Sequence, residues 1–88
     1  MAYKVLEVQP TPNPNAAKFM LDRAVVEQPM SFFNAEAAKG NALAEKLFAI
    51  PGVSSLLLLG DFVTVNKRAD VPWKDITSAV ERALAAAA

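Results

Sequence analysis

The chain contains no cysteine and no histidine. Without thiolate or imidazole there is no disulfide framework, and the usual ligand sets for zinc, haem and iron–sulfur clusters cannot be assembled. The same absence removes the commonest nucleophile–base pairs, a serine or cysteine beside a histidine. Glycine is scarce, and Gly40, Gly52 and Gly60 each sit where a turn or a helix cap accounts for them. No Gly-x-Gly-x-x-Gly and no phosphate-cradling loop ending in Lys-Ser/Thr occurs. Net charge is missing too: nine Lys and Arg balance nine Asp and Glu, scattered along the chain, so nothing attracts a phosphate backbone or an anionic lipid surface at long range. No apolar run approaches a bilayer span, and "MAYKVLEVQ" has no basic stretch followed by an apolar one, so the cytoplasm is the expected location.

What is present fits one small globular unit. With 88 residues, about half of them apolar, there is room for a single core, and residues 1–88 are read as one domain. "YKVLEVQ" at 3–9 reads as a strand, stopped by prolines at 10, 12 and 14 that remove donors and stiffen the connection. In "AKFMLD" at 17–22 the alternation sends Phe19 and Leu21 to one face and Lys18 and Met20 to the other. Residues 23–34 offer one short edge strand around Pro29. Asn34 caps a short turn, Asn41 caps a helix over about 42–50 with Leu43, Leu47 and Ile50 in its stripe, and "IPG" ends it.

Val53–Leu59 and Phe62–Lys67 flank Gly60-Asp61, a two-residue hairpin loop. The implied pairing is Leu59 with Phe62, Leu58 with Val63, Leu57 with Thr64 and Leu56 with Val65. Asp70, Pro72 and Asp75 then open a last helix whose stripe is Trp73, Ile76, Val80 and Leu84, with the terminal alanines fraying. The order β-β-(β)-α-β-β-α gives an α+β fold of two layers, an antiparallel sheet with two helices on one face.

Two places are candidate contact surfaces. In the loop "QPTPNPNAAKF", Thr11, Asn13, Asn15 and Lys18 either make local turns between stiffening prolines or offer polar groups to a partner. On the hairpin, Leu57, Leu59 and Phe62 point away from Leu56, Leu58, Val63 and Val65, so the helices cannot cover both sets. Either residues 23–33 cover the outer set or it is an exposed apolar patch. Trp73 reads as a helix-to-sheet anchor, and Lys67-Arg68 as a solvated pair at a strand end. No catalytic residue, metal ligand or cofactor site emerges.

"QPTPNPNAAKF" followed by "LDR", then "NALAEKLFAIPGVSSLLLLGDFVTVNK" and a tryptophan opening the final helix, resemble the N-terminal domain of the Nfu/NifU-like iron–sulfur cluster scaffold proteins. The resemblance runs from about Val8 to Leu84, with the family's signature on Thr11, Pro12, Asn13, Pro14, Asn15, Lys18 and Phe19, and on Gly60, Asp61, Phe62 and Val63. Ala17 and Asn41 depart from it, standing where Leu and a Ser-Pro-like pair are expected. In such proteins a second domain with a C-x-x-C pair holds the cluster. That role falls on no residue here, and iron binding would be an inheritance from longer relatives only. The resemblance implies a non-catalytic accessory domain that meets assembly factors or recipient apoproteins. Its rival is a self-associating module in which Leu57, Leu59 and Phe62 form a homodimer.

Overall fold

The computed structural model describes residues 3–86, whose elements run β1 (Val5–Pro10), β2 (Ala16–Leu21), β3 (Met30–Phe32), α1 (Ala42–Phe48), β4 (Val53–Leu59), β5 (Phe62–Lys67) and α2 (Trp73–Ala86). The strands make one antiparallel sheet in the order β1-β2-β5-β4-β3. This is the expected α+β fold. The hairpin register is also as expected, Leu59 opposite Phe62 through Leu56 opposite Val65, with Gly60 at φ +56° making the turn.

Alternation in the three central strands builds the core. Phe19 of β2, Leu58 of β4, and Val63 and Val65 of β5 face the helices and are buried with Leu47 of α1 and Ile76, Val80 and Leu84 of α2. The α1 cap is the expected one, the Asn41 side chain accepting from the Ala44 N–H at 3.0 Å. The helix ends at Phe48, before the expected Ile50, because Pro51 disfavours helical geometry in the residue ahead of it. Gly52 follows at φ +100°, where a Cβ would lie 2.9 Å from Val71 Cγ2.

Other boundaries moved for physical reasons. Pro10 does not stop β1 but ends it, paired with Ala17. An edge strand with one neighbour tolerates a residue that cannot donate. Asn34 does cap, accepting from Ala37 N–H at 2.8 Å, yet the segment to Gly40 stays a series of turns. Ala85 and Ala86 continue α2, and Lys46 Nζ donates to the Ala86 carbonyl at 3.2 Å; Ala87 and Ala88 lie outside the described residues. After β2, the exposed Asp22 carboxyl is held below its ordinary range by hydrogen bonding to the Arg23 guanidinium and by the Lys4 N–H.

Adjacent leucines of β4 therefore have opposite roles. Leu58→Ala should cost about 2–5 kcal/mol by opening a cavity under the helices. Leu57→Ala on the other face should cost under about 1 kcal/mol. Denaturant melts of the two variants check this, and equal losses would contradict the assigned faces.

Candidate functional site

The proline-rich loop is tied down from within. Thr11 Oγ1 donates toward the carbonyls of Asn13 (2.9 Å) and Ala16 (3.0 Å) and accepts the Asn13 N–H (3.2 Å). Asn13 Oδ1 accepts the Asn15 N–H at 2.8 Å, which closes an Asx turn. From outside, Trp73 Nε1 donates to the Pro14 carbonyl at 2.8 Å, so the first turn of α2 is fastened to the loop.

A buried lysine completes the clasp. Along β5, Val63, Val65 and Lys67 share the inner face, and Lys67 is only 8% exposed. Its Nζ donates to Asn15 Oδ1 (3.2 Å) and to the Arg68 carbonyl (3.3 Å), and lies 5.4 Å from the centroid of the Trp73 ring. The expectation of a solvated Lys67-Arg68 pair is thus corrected: Arg68 is exposed beside Asp70, but Lys67 is inside. The signal was available in the two-residue spacing from Val65. Buried cations need dense neutral acceptors or an anion, and here amide, carbonyl and indole supply them. A cavity of about 360 Å³ opens beside the clasp, lined by Val8, Pro10, Pro14, Trp73 and Thr77 among others.

The second surface is the outer face of the sheet. The register aligns Glu7, Met20, Phe62 and Leu59 across four strands, and Gln9, Lys18, Thr64, Leu57 and Ser31 across five. Met20, Leu57, Leu59 and Phe62 are half-buried and belong neither to the core nor to the apolar side chains packed on it. Residues 23–33 do not cover them. Val25 and Val26 pack against the helix-side core, Phe32 is buried there, and β3 extends the sheet at its edge. The Val25 N–H bonds the Gly60 carbonyl and the Leu21 N–H bonds the Asp61 carbonyl, both at 2.8 Å, steering the chain past the hairpin tip.

The seven candidate residues therefore divide differently from their order in sequence. Thr11, Asn13 and Asn15 stand in the loop with their side-chain oxygens engaged. Lys18 leaves the loop set and joins Leu57, Leu59 and Phe62, its Nζ 5.0 Å from the Phe62 centroid. Met20 belongs with them and was missed as a candidate, because the partner strand of β2 is not written in local sequence. Among the described residues no group of three or more Asp, Glu, Cys or His could hold a metal, and no helix is long and apolar enough to cross a membrane.

Residues 6–88 match the family described as scaffold protein Nfu/NifU N terminal. The human NFU1 iron–sulfur cluster scaffold homolog, mitochondrial, is 42% identical over 66 residues, covering 74% of this chain and 26% of that protein. NifU-like protein 4, mitochondrial, of Arabidopsis thaliana is 38% identical over 69 residues, 77% of this chain and 24% of its own length. The chain spans about a quarter of the length of these curated relatives. The solution structure of a NifU-like protein from Saccharomyces cerevisiae superposes with a TM-score of 0.77 at 28% identity, covering 96% of this chain and 76% of that one. A Staphylococcus aureus crystal structure shares the fold, with a TM-score of 0.76 at 22% identity, over 91% of this chain and 96% of that one.

The clasp yields a test. Asn15→Ala should lower stability by about 1–3 kcal/mol by stranding a buried donor, and change the emission of Trp73, the one tryptophan in the chain. Adding Lys67→Met should recover part of the loss, since no buried cation is then left short of an acceptor. Chemical denaturation with fluorescence reads both, and a double variant weaker than Asn15→Ala alone would refute the clasp.

Proposed function

This chain belongs to the Nfu/NifU N-terminal family, and from that premise we propose that it is a non-catalytic contact module in iron–sulfur cluster assembly or delivery. Family membership supports the process, and the observation that carries the contact role is the outer apolar face of Met20, Leu57, Leu59 and Phe62, half-buried and outside the core. An apolar patch left on a sheet face beside a full helix layer is the kind of surface that another protein covers.

Two relatives are named for an iron–sulfur cluster or the NifU likeness, but the residues here do not fit a cluster. Clusters are held by thiolates or imidazoles, and the chain has neither. Its part in the proposal is to meet the protein that holds or receives the cluster. It carries no catalytic residue in this reading, and residues 1–88 act as one unit. The proposal keeps the cytoplasm as place of action, although the human and Arabidopsis relatives are named mitochondrial; imaging of the tagged chain in its source cells decides that point.

Pull-down from source lysate with the whole chain as bait tests the role. Iron–sulfur assembly factors or cluster-containing proteins should be captured, retained by Asn13→Ala and lost with Phe62→Asp. Capture indifferent to Phe62→Asp would overturn the face. Capture only of the chain itself, confirmed as a dimer by sedimentation, would replace the proposal with the self-associating module.

A further inference from the structure

The outer face carries one cation, Lys18, beside the apolar patch of Met20, Leu57, Leu59 and Phe62, and Glu7, Gln9, Thr64 and Ser31 complete its two cross-strand rows. Lys18 stands between Gln9 and Thr64 in its cross-strand row, with its ammonium 5.0 Å from the middle of the Phe62 ring. Among the described residues the ion pairs join Arg23 to Asp22, Lys39 to Glu36 and Arg68 to Asp70, and none includes Lys18. Glu7, the acid on the same face, is diagonal to Lys18 and takes the Gln9 amide.

While the face is open, water solvates that ammonium. A partner that covers Phe62 must also cover the charge beside its ring, and burying an unpaired cation costs more than a cation–π contact returns. The partner therefore has to bring a carboxylate to a contact whose apolar anchors are Met20, Leu57, Leu59 and Phe62.

The sheet also restricts the shape of that partner. Strand addition is guarded at both edges: β1 has a bulge between Val5 and Glu7 and ends in Pro10, and β3 is three residues long and follows Pro29. What is left is the broad face, which packs a helix as the opposite face already does. Two simple registers of a second copy leave Lys18 without an acid: a two-fold axis along β5 sets it over Leu57 of the other copy, and one across the strands between its row and the next sets it over Met20.

Resting on the reading of this face as a contact surface, we propose that it docks an amphipathic helix of a partner protein whose apolar stripe carries one Asp or Glu, with the carboxylate seated on Lys18.

A displayed library of helical peptides, randomised along one stripe and selected on the whole chain, tests this. Enriched peptides should carry one acid in the stripe, bind Lys18→Glu at least about tenfold more weakly, and bind Lys74→Glu unchanged. Lys18→Gln should fall between them, and selection on Lys18→Glu should enrich Lys or Arg at the same peptide position. Circular dichroism confirms that each bait is folded. Binders that depend on Phe62 but ignore the sign of residue 18 overturn the acidic helix alone. An empty selection, or binders that survive both Phe62→Asp and Leu59→Ser, overturns the docking face and the helix with it.

Discussion

The alternation of side chains along β2, β5 and β4 is the constraint on which the rest depends. It commits Phe19, Val63, Val65 and Leu58 to one side, where α1 and α2 bury them. It commits Lys18, Met20, Phe62, Leu57 and Leu59 to the other, where no helix or strand of the described residues lies over them. A run of four leucines at 56–59 cannot be hidden under one helix layer, because the pleat turns every second one away. The apolar outer face is thus in part a direct result of ending β4 in four successive leucines.

The helix layer is held in place by polar chemistry as well as by packing. Lys67 stands on the inner face where an apolar residue would continue the pattern, and is surrounded by Asn15, the Arg68 carbonyl and the Trp73 ring. Such an arrangement ties three distant segments, the β1–β2 loop, the end of β5 and the start of α2. It also explains the odd composition of that loop. The prolines limit its conformations, Thr11 and Asn13 satisfy its backbone, and Asn15 reaches inward to the lysine. A loop so engaged is a fastening.

Much of this was legible locally. The hairpin at Gly60-Asp61 set its own register, Asn41 announced the helix it caps, and the stripe of Ile76, Val80 and Leu84 named the buried side of α2. Less legible was anything that depends on which strands are neighbours. Parity along β2 put Lys18 opposite Phe19 in orientation, yet only the pairing of β2 with β5 brings it to Phe62. Sequence proximity grouped it with the proline loop, and the pleat separated them. The same blindness hid Met20 from the outer patch. Lys67 was different: its spacing from Val65 was visible, but charge alone suggested a solvated position, and the acceptors that make burial tolerable come from residues far away in sequence.

In the proposed reading the labour is divided: one face makes the fold and the other is offered to a partner. That claim stands or falls on whether the outer face is open in solution. Methyl and aromatic NMR relaxation with a soluble paramagnetic probe, on dilute free protein, measures it directly. The account predicts strong broadening for Met20, Leu57, Leu59 and Phe62 and protection for Phe19, Leu58 and Val63. Equal protection of both sets at every dilution would contradict it.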